Sequence, residues 1–302
     1  MIVQPSAARP APLFGPAIAA PAAVQQRSAA VPLAILAIAI LFVYWTVLAG
    51  LLTQWATEDN YTHGFLIPPL AAYFVWRRRD RLRAAGGQPS GLGLVVVLAA
   101  LCSFAAGIAA AELFVTRVSL VLLVAGSVLF LYGPACLRVL AFPLGFLFLM
   151  IPLPAVVFNQ IALPLQLFAS ELGEIALRAG HVAVLRDGNV LELVGMRLEV
   201  AQACSGIRSI MGLLAFSLVI GEIGGCASPR LVALAIATVP IAILANSARV
   251  VATGFAAQAW GPAVAAGLLH TAAGILVFFG AVLLLSALER ATRPRCTLTE
   301  PI

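Results

Sequence analysis

The chain is 302 residues long, 62% hydrophobic and only 10% charged, where an ordinary soluble domain carries about 25% charged residues. Its formal net charge of +6 rests on 18 basic residues, every one an arginine. These figures exclude a soluble domain and describe a polytopic membrane protein with about 20-residue apolar runs. They also exclude a nucleic-acid binder: the arginines sit mostly in short loops between apolar runs, where topology accounts for them, and no basic patch is interleaved with aromatics.

Residues 1–30 are rich in Ala and Pro and read as a disordered cytoplasmic leader without a signal-peptide layout. Eight crossings are expected in an all-α transmembrane domain spanning 31–288. The first covers 31–52 and is followed by a polar loop with Glu58 and Asp59. A short second crossing over 62–76 ends at Arg77-Arg78-Arg79-Asp80-Arg81-Leu82-Arg83, the densest charge cluster in the chain. The positive-inside rule places that cluster in the cytoplasm and so fixes the topology. Crossings three to five fall at 91–110, 113–132 and 139–153, with a cytoplasmic loop at 133–138.

The segment 155–203 reads as extracytoplasmic. Helical apolar spacing over 156–179, with Glu171, Glu174 and Arg178 on another face, predicts an amphipathic helix on the membrane surface. Alternation in 190–194 and 196–200 and the turn signal Asp187-Gly188 predict a short hairpin. Crossings six, seven and eight follow at 205–223, 231–254 and 268–288, and 289–302 is a cytoplasmic tail with Arg290, Arg293 and Arg295. Both termini are then cytoplasmic. The four tryptophans fit an interfacial aromatic belt.

This threading brings three residues of the last third to similar depth on one face. Cys204 begins crossing six, Arg249 lies near the outer end of crossing seven, and His270 lies near the outer start of crossing eight. Ionisable groups in apolar segments are costly and mark polar, functional interiors. A helix N-terminus favours the thiolate that makes cysteine a nucleophile. An imidazole can take the thiol proton and return it to a leaving amine. A guanidinium does not deprotonate and suits an oxyanion. Asn246, one turn before Arg249 on the same face, can support it or bind the substrate. Arg208, one turn after Cys204, and His63, outer-facing at the start of crossing two, are candidate substrate contacts. Taken singly, each has a plain alternative: a small buried cysteine, an arginine snorkelling to headgroups, a histidine bonded to a helix-end carbonyl. Of the five cysteines, only Cys204 is placed at the oxidising face, with no disulfide partner available.

Ala203-Cys204-Ser205-Gly206 followed by Arg208-Ser209, then Ala245-Asn246-Ser247-Ala248-Arg249-Val250, then a late helix with His270, resembles the bacterial branch of the exosortase/archaeosortase family. Tyr61-Thr62-His63-Gly64 before the arginine cluster and Ile151-Pro152-Leu153-Pro154 are similar to that family too. The resemblance implies a membrane cysteine protease/transpeptidase of the bacterial inner membrane with a periplasmic active site. Cys204 would be nucleophile, Arg249 the transition-state stabiliser and His270 the general acid/base. Substrates would be exported proteins with a C-terminal sorting tail: a Pro-Glu-Pro-type motif, a transmembrane helix, then basic residues. A thioester on Cys204 would pass to an acceptor, amine or water, often in organisms making exopolysaccharide. The rival reading is a transporter or structural membrane subunit of an exopolysaccharide export system, which calls for polar residues spread through the midplane. A rhomboid-like serine protease is excluded by the lack of a Gly-x-Ser-x-Gly-type motif. With no metal-ligand cluster or nucleotide-binding loop in the sequence, no cofactor is expected.

Overall fold

A computed structural model describes residues 22–194, 196–200, 207–225, 228–261 and 268–293. The chain divides into two compact units, 1–48 and 49–302. In the first, helix α1 (Ala22–Val43) starts within the stretch expected to be a leader; residues 1–21 lie outside the described residues. Helix α2 (Trp45–Thr57) runs from the first unit into the second.

The second unit continues with a 3-10 turn (Asp59–Phe65), α3 (Ile67–Arg77), α4 (Arg79–Ala85), α5 (Gly91–Ala109), α6 (Leu113–Phe146) and a second 3-10 turn (Leu147–Met150). Then come α7 (Ala155–Ala179), strands β1 (Val184–Asp187), β2 (Val190–Leu193) and β3 (Met196–Glu199), α8 (Ile207–Ile223), α9 (Ser228–Trp260) and α10 (Leu268–Ala291).

Among the described residues, five helices are long and apolar enough to cross a membrane, or six if the interrupted pair Leu33–Val43 and Trp45–Thr57 forms one span. This differs from the eight expected crossings for identifiable reasons. The run expected as a short second crossing forms an 11-residue helix, α3, which rises only about 16 Å. The expected fourth and fifth crossings are the two halves of α6, joined by a sharp break at one residue: Arg117 in the first half and Leu153 just past the second both lie at Tyr61, so the chain folds back between them. Gly133 (φ 78°, ψ −178°) interrupts the helical dihedrals and Pro134 restarts them. That backbone region is essentially restricted to glycine, and a side chain at 133 would also collide with the backbone carbonyl of Gln88. The apolar helix over Ser209–Ile223 is short. Conversely α7, expected to lie on the surface, has the length and hydropathy of a crossing.

Close helix packing uses small residues, as is usual where lipid removes the hydrophobic drive between helices. Gly93 lies so near the Phe130 backbone that a side chain would collide with it, and Gly126 meets Val96 and Val97, so α5 and α6 pack as a tight antiparallel pair. The strands form an antiparallel meander, β1-β2-β3, pairing Asp187 with Val190 across the Gly188 turn and Leu193 with Met196. Its apolar face (Val184, Leu191, Leu193, Leu198) buries against Ala169 and Leu177 of α7 and Val250 of α9.

Helices α8, α9 and α10 pack together around Leu213, Leu234, Ala242, Ala281 and Leu285. Ion pairs clamp one end of this group. Glu289 of α10, only 1% exposed, takes Arg230 of α9 and Arg293 one turn on. Arg78, at the end of α3, pairs with Glu222 of α8 at 2.5 Å and donates to the Val139 carbonyl. The C-terminal end of α8 is thus held at the arginine-rich C-terminal end of α3, so the two helices run parallel. The turn Asp59–Phe65, at the other end of α3, also packs on α8. It is anchored by Trp55, whose indole N–H donates to the Met150 carbonyl at 2.9 Å. Trp55 is therefore a buried structural residue, 4% exposed, and departs from the expected aromatic belt; Trp45, Trp76 and Trp260 are exposed.

Candidate functional site

Arg249 lies on α9 roughly 28 Å along the helix from Arg230, close to the thickness of a bilayer's hydrocarbon core. It is thus at the end of the three-helix group away from the ionic clamp. Its Nη2 donates to Asn246 Oδ1 at 3.0 Å. Asn246 is itself buried, 4% exposed, so the guanidinium is aimed by a side chain one turn earlier on its own helix. Thr253 bonds back to the Arg249 carbonyl at 2.9 Å and steadies the next turn. On the other side of that turn, Val250 is locked into the core under the β-meander.

Arg249 and Asn246 line a cavity of about 10 Å3, near the size of one water. Its other walls are Ser209 and Leu213 of α8, Ala245, and Gly274, Val277 and Phe278 of α10. Gly274 adjoins the guanidinium: a first side-chain carbon there would make an ordinary contact, 3.6 Å from Arg249 Cδ and Nη1. Gly274 is one helical turn after His270, on the same face of α10. Ser209 belongs to the first turn of α8, which begins at Ile207. The described residues therefore bring three parts of the chain together: the start of α8, the middle of α9 and the first turns of α10.

Of the residues expected from sequence, Arg249 and Asn246 meet directly. Cys204 lies outside the described residues, as do the side chains of Arg208 and His270, whose backbones belong to α8 and α10. His63 lies in the Asp59–Phe65 turn with its Nε2 3.2 Å from the Leu149 carbonyl. Burial pushes its pKa below the usual imidazole value, against the opposing pull of the Leu149 and Asn60 backbone. Tyr61, in the same turn, has its phenol pKa raised by burial and by the neighbouring Glu58 carboxylate.

Arg117 went unnoticed in the sequence. It sits in the second turn of α6, is 5% exposed, and lies within electrostatic reach of Glu58 and Tyr61. The available signal was a single charge placed just inside a long apolar run, which is costly in a membrane unless it serves something.

The fold and this polar pocket define a multi-pass membrane protein with a half-buried guanidinium at one end of a helical group. Over residues 55–287 the chain matches the family model for transmembrane exosortases (Exosortase_EpsH), and it belongs to that family. No curated protein and no solved structure is significantly similar to the chain.

Proposed function

We propose that the chain is a membrane cysteine endopeptidase and transpeptidase that removes C-terminal sorting tails from exported proteins. Cys204 is the nucleophile, His270 the general acid/base and Arg249 the oxyanion donor. The supporting observation is the aim of Arg249. Asn246 holds its guanidinium beside the first turn of α8, three residues after Cys204, and against the α10 face that carries position 270. Family membership adds independent support.

In the acylation step, the Cys204 thiol passes its proton to His270 and the sulfur attacks the scissile carbonyl carbon. Negative charge moves onto the carbonyl oxygen, where Arg249 donates to it. The carbon–nitrogen bond then breaks, His270 returns the proton to the departing amine, and a thioester remains on Cys204. An acceptor amine or water attacks that thioester and frees the thiol. The reaction needs no oxidant or reductant. The site faces the periplasm of a bacterial inner membrane and both termini are cytoplasmic. Arg208 contributes to the substrate pocket, and His63 shapes it from the Asp59–Phe65 turn.

The test uses a reporter ending in a short acidic motif, a transmembrane helix and a basic tail. Wild-type protein should shorten it, and Cys204→Ala protein at equal abundance should leave it full length. Equal processing by both would end this reading. Trapping of the reporter as a hydroxylamine-sensitive adduct on wild type, and not on Cys204→Ser, would establish the thioester.

A further inference from the structure

Arg117 is a guanidinium in a membrane helix, 5% exposed, and it makes no hydrogen bond or ion pair with the described residues. An unpaired charge so placed is expensive to keep. Its electrostatic neighbours are Glu58 and Tyr61, but neither meets it. The Glu58 carboxylate is taken by the Gln54 amide, Nε2 to Oε1 at 2.9 Å. The Tyr61 hydroxyl is engaged by the Leu153 backbone. Gln54 itself is half satisfied: its Oε1 is buried with no donor among the described residues. The cluster therefore lacks two things, an acceptor for Arg117 and a donor for Gln54.

An extended polypeptide with an acidic side chain supplies both, a carboxylate and a backbone N–H. The guanidinium fork matches a carboxylate through two parallel hydrogen bonds. The position suits a substrate. Arg117 adjoins the turn Asp59–Phe65, which packs on α8 away from the Arg78–Glu222 pair, toward the start of that helix. A lipid phosphate is the weaker fit, because a headgroup ligand calls for an arginine open to the bilayer surface.

The geometry points to Arg117 as the receptor for an acidic side chain of the substrate, lying just ahead of its membrane segment; this rests on the peptidase reading above. Arg117 then selects the polypeptide and takes no part in bond breaking. Glu58 is its resident counter-charge and a weak competitor for the same place.

The experiment measures binding without turnover, using Cys204→Ala protein in lipid nanodiscs. The probe is a synthetic tail peptide with one glutamate ahead of an apolar segment, compared with its glutamine counterpart. The glutamate peptide should bind about tenfold tighter or more. Arg117→Gln should bring the two peptides within about twofold, and Arg117→Lys should keep part of the preference. Glu58→Gln should tighten the glutamate peptide and leave the glutamine peptide unchanged, an effect that a purely structural Arg117 would not produce. No preference in the parent protein, or a preference that survives Arg117→Gln, overturns the assignment and favours an arginine that serves the fold or a lipid headgroup. Should Arg117→Gln not assemble, the Arg117→Lys and Glu58→Gln comparisons decide alone. A chain that binds the glutamate peptide selectively yet leaves the membrane reporter uncut would instead refute the peptidase reading and leave this one standing.

Discussion

Arg249 and Asn246 form a pair on one helix, guanidinium to amide oxygen at 3.0 Å, and both are held against α10 at Gly274. If Arg249 donates to an oxyanion, Arg249→Ala should lower turnover of a tailed reporter by about 100- to 1000-fold. Arg249→Lys should be nearly as harmful, since an ammonium cannot bond to Asn246 and the oxyanion with the same planar fork. Asn246→Ala should cost about tenfold, and the double variant should be no worse than Arg249→Ala. Single-turnover rates at equal protein abundance check all three.

Gly274 separates space from chemistry. The first side-chain carbon of Gly274→Ala would make an ordinary contact with Arg249, 3.6 Å from Cδ and Nη1, so activity should stay within about twofold. Gly274→Leu should drive the guanidinium off its aim, and misplacement by about 1 Å can cost about 100-fold. Matched melting curves would show that the loss is catalytic.

The His63 ring is held neutral by burial, with its pKa below the usual 6.5. Above pH 6.5 the ring is neutral whether the chain is folded or unfolded, and it has no effect on stability. As pH falls below 6.5, the unfolded chain binds the proton first and the fold loses stability, until the folded ring also protonates. Thermal unfolding between pH 8 and 5 should show this loss, and His63→Gln should flatten it.

Glu289 joins two arginines, Arg230 and Arg293, at one end of the helical group. It is 1% exposed, and both Arg230 and Arg293 depend on it. Removing one partner of a buried ionic cluster strands the rest, so Glu289→Ala should destabilise the protein by about 3 kcal/mol or more. Denaturant titration in detergent measures this. Because this cluster is far along α9 from Arg249, the folded fraction should retain full turnover per molecule.

The sequence made some of this legible and hid the rest. Hydropathy marked the membrane class and the apolar runs, because burial in lipid demands about 20 apolar residues whatever the fold. It drew some boundaries differently from the described helices where length and break chemistry compete. Gly133-Pro134 reads as a loop between two crossings in sequence, and the chain does turn back there, with a single non-helical residue making the turn. Helix α7 carries enough charge to read as interfacial, although its length and overall hydropathy suit a crossing. Asn246 was foreseeable beside Arg249 because helical spacing is local. Gly274 and Ser209 were not, since nothing in sequence says which turns of α8 and α10 face α9. Arg117 escaped because its electrostatic neighbours, Glu58 and Tyr61, come from a segment more than fifty positions earlier and approach it only through tertiary packing.

The break at Gly133 reaches beyond α6. Its dihedrals exclude an L side chain, and the Gln88 carbonyl fills the space such a group would enter. Tolerance at this position should therefore not scale with size: alanine, ordinarily the mildest replacement, is shut out as firmly as tryptophan. One missing methyl group lets the lead-in to α5 and the second half of α6 share the same level. In a saturation library, position 133 should stand out as a column with a single permitted letter.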